Sequence, residues 1–229
     1  MCGRYILTQA AKFERALQVA RVSWSFQVSY NVAPTQAVPV VRTTSADREG
    51  VMVRWGLIPY FANGVAPKYS TINCTVEKLE SGAVWRGPWN RGQRCIVPAA
   101  GFYEWHLNEA GQKQPFFIHL ADQEVFGFAG LWDRSVSADG NAVESCAIIT
   151  MPGNDLMRQV HNTGNNPYRM PAILAPADYD AWLKGAAGEA RSVLKPYPQD
   201  VMVAYQVGTR VNSSKNNDET LIEPVTHAH

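Results

Sequence analysis

The sequence predicts an α+β fold: one domain built on a mainly antiparallel, barrel-like β-sheet with short flanking helices. Three observations predict it. Short runs rich in β-branched and aromatic residues come first and in number. Helix-period patterns are few, short and scattered. The regular strand–helix–strand alternation of a doubly wound parallel sheet is missing. The length of 229 residues allows one large domain or two small ones at roughly 150 per domain, and the absence of a repeat or linker favours one. With 46% hydrophobic and 18% charged residues, such a chain buries about 70–75% of its unfolded surface, which excludes disorder as its main state.

The elements follow in order. Thr8 reads as the N-cap of a short helix in which Phe13, Ala16, Leu17 and Ala20 recur at helical spacing, ending before Ser23. Strands are expected at 37–42, 51–57, 94–98, 102–106, 115–120, 125–132 and 145–151. Gly111 and the Asp139-Gly140 pair mark turns between them. Asn154 caps a short helix running to Val160, and Pro176 opens another containing Tyr179, Trp182 and Leu183. A late strand is expected at 201–207. The stretch 162–168, with Gly164 and Pro167, and the tail after Asn212 are expected to be the most mobile segments.

Twenty-one Lys plus Arg against twenty Asp plus Glu leave a net charge of +1. Any nucleic-acid binding must therefore come from a local patch. No apolar run reaches the roughly 18 residues of a membrane span, and the first fifteen residues carry charges without a signal-peptide core. The expectation is a soluble, cytoplasmic protein. Cys2, Cys74, Cys95 and Cys146 lie far apart without zinc spacing and are read as reduced thiols. No metal or organic cofactor is expected.

Four features bear on chemistry. Met1 precedes Cys2 and the small Gly3, so its removal would leave Cys2 as a terminal 1,2-aminothiol. With reference values of about 7.7–8.0 for the amine and about 8.5 for the thiol, both are expected to be partly nucleophilic near neutrality. An amine condenses with an aldehyde to an imine, and a thiolate on the same residue can close a five-membered thiazolidine. A cysteine beside the initiator means little until its company is known. In the run from Gly101 to Trp105, alternation places Phe102 and Glu104 on one face and Tyr103 and Trp105 on the other. Glu104 is then either solvent-facing or in an ion pair, or else buried with a raised pKa suited to a proton shuttle. His161 ends an apolar helix, and reads as a surface residue or a catalyst. Asn73 interrupts a potential core strand, either to satisfy a turn or to orient a sugar hydroxyl or carbonyl.

These segments resemble the SRAP family, named for SOS response-associated peptidase. The resemblance runs through the opening Cys2-Gly3-Arg4-Tyr5, then Tyr30 to Pro34, Trp55 to Pro59 and Ile72-Asn73. It continues through Arg94 to Trp105, Lys113 to Phe117, Phe128 to Trp132, Ile149-Thr150, His161 and Arg169 to Leu174. This ordered series is specific where any one block would be weak. The SRAP domain is expected at 2–225, leaving a C-terminal tail at 226–229.

The resemblance implies covalent capture of abasic sites in single-stranded or junction DNA. Cys2 is then the nucleophile, Asn73 positions the ring-opened sugar, Glu104 shuttles protons and His161 assists ring opening. It further implies possible strand-cutting lyase activity and self-removal of Met1. Arg4 is the first expected phosphate contact, with Lys68, Arg86, Arg91 and Arg169 as further groove cations. Tyr60, Phe61 and Trp105 are stacking candidates. Two departures stand out. Relatives usually carry Arg where this chain has Thr75, which predicts weaker, less salt-sensitive binding unless Lys78 or Lys68 compensates. The stretch 162–168 between His161 and Arg169 is longer than in many relatives. A monomer, associated with the nucleoid when on DNA and not with membranes, is expected. Two other readings remain open: a cysteine peptidase using Cys2 with His161 and Asn73, and a non-covalent single-strand binding module.

Overall fold

In the structure, a computed structural model, residues 2–43 and 47–225 are described. Met1, residues 44–46 and the expected tail 226–229, with His227 and His229, lie outside the described residues. Among the described residues the chain begins with β1 (Arg4–Leu7), α1 (Ala10–Ala16), β2 (Arg21–Val22), β3 (Ser29–Val32), β4 (Ala37–Thr43) and β5 (Arg48–Trp55). There follow β6 (Asn73–Thr75), α2 (Arg86–Asn90), β7 (Arg94–Ala99), β8 (Gly101–Leu107), β9 (Lys113–Leu120), β10 (Phe126–Val136) and β11 (Ala142–Pro152). The last part holds α3 (Asp155–Val160), β12 (Arg169–Pro171), β13 (Ile173–Leu174), α4 (Tyr179–Lys184), α5 (Ala187–Ser192) and β14 (Met202–Gln206).

The expected barrel is present. Antiparallel pairing runs through β11, β10, β7, β4 and β5, and β5 returns to β11 in parallel at Ser145↔Arg54 and Cys146↔Trp55. Those five strands therefore close on themselves, which removes their edges. β2, β6, β12 and β13 attach to the outside of that ring. The second sheet, in order β14-β9-β8-β1-β3, is antiparallel throughout. It packs on the barrel through aromatic side chains: Tyr5 lies edge-on to Trp55 at 5.2 Å, and Phe102 edge-on to Phe128 at 5.7 Å. All four rings are fully buried, and burying each stabilises by about 1.5–3 kcal/mol. Gly101 keeps the hairpin of β8 and β9 tight, because a Cβ there would sit 2.3 Å from the Phe117 ring. That register sets Glu104 opposite Phe116.

Several boundaries differ from the sequence expectation. The first helix is capped at Gln9, not Thr8, without a side-chain bond, and it stops at Ala16. Gln18 turns left-handed at φ 51°, which frees Arg21 and Val22 to pair with β5. Asn154 does cap α3, its side chain accepting from the Met157 N–H at 2.9 Å. The segment after Asn212, expected to be mobile, is packed instead: Leu221 is buried in one cluster with Ile6, Tyr103, Phe117 and Val211. Asn31 fastens it further by donating to the carbonyls of Val211, Ser213 and Asn216. No helix among the described residues is long and apolar enough to cross a membrane.

Candidate functional site

β1 lies in the second sheet between its central strand β8 and its edge strand β3, and the chain entering it is drawn inside. Cys2 is fully buried. Asn73, the first residue of β6, reaches it from the barrel: its Nδ2–H donates to the Cys2 carbonyl at 2.8 Å. The other half of that amide, Oδ1, is buried without a hydrogen-bond partner among the described residues. An unsatisfied buried acceptor costs about 1–3 kcal/mol, so this oxygen is prepared for a donor.

Glu104 belongs to β8, whose alternation points Phe102 into the core and Glu104 after it. Its residue is 2% exposed, which decides between the two readings of this carboxyl. Burial raises its pKa from 4.5 to about 7. His161 follows the last turn of α3, held by its own N–H to the Met157 carbonyl at 2.8 Å. It is buried too, and burial lowers its pKa to about 4. Its Nε2 stands 3.8 Å from Glu104 Oε2. That distance is within ion-pair range, yet near neutrality the imidazole is uncharged, so the contact is not a salt bridge.

The other imidazole nitrogen is held in an unusual way. Nδ1 lies 3.2 Å from the Arg169 N–H and 3.1 Å from the Arg169 carbonyl. As an acceptor it satisfies the first, and as a donor the second. Either tautomer keeps a partner at Nδ1, so Nε2 can face Glu104 with or without its proton at similar cost. A half-protonated carboxyl beside such an imidazole is suited to moving protons.

The thiol corrects the sequence expectation. Burial, reinforced by the nearby Glu104, pushes the Cys2 pKa well above its ordinary value, so the sulfur is protonated at neutral pH and not partly thiolate. It becomes nucleophilic only if a base takes its proton, and Glu104 is the carboxyl nearby. Cys74, Cys95 and Cys146 are likewise free and buried.

Two of the four candidates, Glu104 and His161, line a recess of about 270 Å³ together with Trp105, Lys113, Thr163 and Gly164, while the buried Cys2 and Asn73 do not line it. Trp105 is half-buried and fixed by its indole N–H to Asn212 Oδ1 at 2.8 Å. A larger recess, about 540 Å³, lies elsewhere on the second sheet beside Ile6, Tyr30, Phe117 and Tyr205 and contains none of the four. The smaller one is the candidate site, because the perturbed groups converge there.

The expected DNA contacts divide. Arg4 is half-buried and turned inward, donating to the Val211 carbonyl at 2.8 Å and to Asn31 Oδ1 at 3.3 Å. Arg169 forms a bidentate pair with Glu77 at 2.9 Å and also bonds the Thr150 carbonyl, so the phosphate-facing role expected of it competes with an existing partner. Thr75 is half-buried on β6, two residues from Asn73. Tyr60 and Phe61 are 56% and 51% exposed and lie edge-to-face at 5.4 Å. The Arg91 guanidinium covers Tyr60 at 4.8 Å, held there by the buried Asp133, which also accepts from the Tyr60 N–H. Arg86 is exposed at the start of α2, and Lys68 is exposed beyond Phe61. None of Tyr60, Phe61, Lys68 or Arg86 lines the recess. Sequence reasoning gave no role to Lys113, Thr163, Gly164 or Asp133. Lys113 had a signal: it ends the hairpin that carries Glu104, opposite Leu107.

Residues 1–214 match a protein family described as SOS response associated peptidase (SRAP). The chain is 35% identical over 231 residues to the abasic site processing protein YoqW of Bacillus subtilis (strain 168), covering 97% of this chain and 99% of that protein. It is 30% identical over 223 residues to the abasic site processing protein HMCES of Xenopus tropicalis, covering 84% of this chain and 64% of that protein. A solved structure of a Bacteroides thetaiotaomicron protein superposes with a TM-score of 0.85 at 28% identity, over 98% of this chain and 100% of that one. A Bordetella bronchiseptica structure gives 0.79 at 29% identity, over 90% and 100% respectively.

Proposed function

Because the chain belongs to the SRAP family, we propose that it processes abasic sites in DNA by capturing them covalently on Cys2, in single strands or at junctions, as a monomer. The observation that carries this reading is a chain of contacts: Asn73 bonds the Cys2 carbonyl, the charge of Glu104 acts on the Cys2 thiol, and His161 stands 3.8 Å from Glu104 at the recess those two residues line. Relatives named as abasic site processing proteins support it over nearly the whole chain.

The chemistry follows from the protonation states. With Met1 removed, by the chain itself in this reading, the Cys2 amine attacks the aldehyde carbon of the ring-opened sugar. His161, neutral and able to hold its Nε2 proton or release it, assists opening of the closed hemiacetal. The carbinolamine then loses water: Glu104, protonated in about half of the molecules near pH 7, gives its proton to the departing hydroxyl. The resulting carboxylate takes the proton of the Cys2 thiol as sulfur bonds to the imine carbon, and the nitrogen receives the electron pair of the C=N bond. The product is a thiazolidine, and one water is released overall. Asn73 Oδ1 supplies an acceptor for a sugar hydroxyl, while its Nδ2–H keeps the Cys2 carbonyl in place. Lyase cleavage of the strand, where it occurs, would proceed from the imine before the sulfur closes.

A phosphate flanking the lesion would meet Lys113 at the recess, and Arg4 would serve as a second contact only by leaving Val211 and Asn31. Tyr60 and Phe61, with Arg86, Lys68 and Arg91, would form a more distant stacking patch. The test is a denaturing gel of the protein mixed with abasic single-stranded DNA. The expected result is a slow-migrating covalent species with the unaltered protein and none with Cys2→Ala. Equal yield from Cys2→Ala would overturn the proposal.

A further inference from the structure

The strand that carries Glu104 loses its neighbour partway along. β1 pairs with β8 only at Gly101, Phe102 and Tyr103, so past Tyr103 no strand lies on that side of β8 among the described residues. Unpaired N–H and C=O groups at such an edge call for partners. Asn162 supplies them. Its Oδ1 accepts the Leu107 N–H at 2.7 Å, and its Nδ2–H donates to the Leu107 carbonyl at 2.9 Å. The planar amide thus pairs with Leu107 as a strand residue would, using both donor and acceptor at once.

The place of this clip matters. Asn162 directly follows His161, and Leu107 lies three residues beyond Glu104 on the same strand. The clip therefore joins the segment that carries the imidazole to the strand that carries the carboxyl. A second tie lies one turn earlier, where His106 Nδ1–H donates to the Gln159 carbonyl at 2.8 Å. At the far end of the loop, the Tyr168 N–H donates to the His161 carbonyl at 2.6 Å, and Tyr168 holds a left-handed backbone at φ 62°. The stretch is thus fastened at both ends while its middle, Thr163 and Gly164, walls the recess.

We propose that Asn162 is a positioning residue: by pairing with Leu107 it holds His161 at its 3.8 Å approach to Glu104 and so sets the rate of proton transfer. This rests on the proton-handling roles given to Glu104 and His161 above. The charged groups that act on the imidazole include Glu104 from β8, Arg169 from β12, Lys113 across the recess from β9 and the positive charge of the chain's amino terminus, which also lowers its pKa. None of them is bonded to Asn162, so its loss alters their spacing and not their charge.

The test uses the full chain and three readouts: the single-turnover rate of adduct formation on an abasic single strand, affinity for a strand carrying the aldehyde-free tetrahydrofuran analogue, and the titration midpoint of His161 by NMR. A displacement of about 1 Å can cost on the order of 10²-fold, so Asn162→Ala is expected to slow crosslinking roughly 10- to 100-fold with analogue affinity unchanged. Its His161 midpoint should rise from about 4 toward 6.5 as water reaches the ring. Asn162→Asp keeps an acceptor for the Leu107 N–H and loses the donor, and should fall between the two in rate. A wild-type rate and midpoint in Asn162→Ala, with Glu104→Gln still slow, would overturn the positioning role and leave the proposed function standing. Affinity lost in parallel with rate would overturn it as well. A Glu104→Gln protein as fast as wild type would instead refute the proton-transfer reading beneath it.

Discussion

Replacing Glu104 with glutamine should make the protein more stable and less active, and the gain should depend on pH. The carboxyl is fully buried, and its pKa rises from 4.5 to about 7 on folding. A raised carboxyl pKa means that the folded state resists ionisation. Its contribution is intact below the unfolded value of 4.5 and is lost as pH climbs through 7. Over that whole interval the loss amounts to about 3 kcal/mol, at 1.36 kcal/mol per pKa unit. Most of it lies between pH 5 and pH 8, where it comes to about 2.5 kcal/mol. Glu104→Gln keeps the shape and cannot ionise, so it avoids that loss. At about 2–4 °C per kcal/mol for a chain of this size, the melting-temperature advantage of the variant should be larger at pH 8 than at pH 5 by roughly 5–10 °C. Thermal denaturation of both proteins at the two pH values provides the assay, with adduct formation measured alongside. An advantage that is the same at pH 5 and pH 8 would refute the reasoning, because it would mean that Glu104 ionises as easily folded as unfolded.

Three other outcomes are expected. Thr75→Arg should tighten binding to single-stranded DNA and steepen its salt dependence by about 0.7 in the log–log slope if the new cation reaches one phosphate; fluorescence anisotropy across a salt series measures both. Phe61→Ala should weaken binding of single strands by about 1–3 kcal/mol while leaving adduct formation at saturating DNA unchanged, the pattern of a stacking contact remote from the chemistry. Because all four cysteines are buried, a thiol reagent such as Ellman's should label none quickly in the native protein and all four in denaturant; fast native labelling at Cys2 would show that its sulfur is not shielded.

Long periodic elements were legible in the sequence because their signals are local. The run 145–151 became the core of β11, and Asn154 capped α3 as its side chain predicts. The short strands β1, β3, β6 and β12 have three or four residues each and were not assigned, since such lengths hold no pattern without their partners. β1 is the costliest of these omissions, because it explains why Cys2 is buried. The candidate residues could be named from motifs, but their state could not. Glu104 reads as readily as a surface carboxylate until the fold leaves it 2% exposed. The Cys2 thiol was expected to ionise near neutrality from its reference value, and only tertiary burial reverses that. Arg169 was read as a free cation because Glu77, 92 residues away in sequence, gives no local sign of pairing with it. Asn162 was legible only as part of a loop, since its function lies in the bare edge of another strand.

Those corrections bear on how the site would work. A thiol exposed and ionised would react with many electrophiles, whereas one that must pass its proton to Glu104 reacts only where an imine has formed beside it. The shielding of Cys2 and the raised pKa of Glu104 are therefore two aspects of one selectivity. The measurement that tests this most directly is intact mass spectrometry of the protein incubated with an abasic single strand, followed by fragmentation of the adduct. The account predicts a species equal to the chain without Met1 plus the DNA minus one water, with the modification on Cys2. An adduct formed by chains that retain Met1, or one mapped to a lysine, would contradict it.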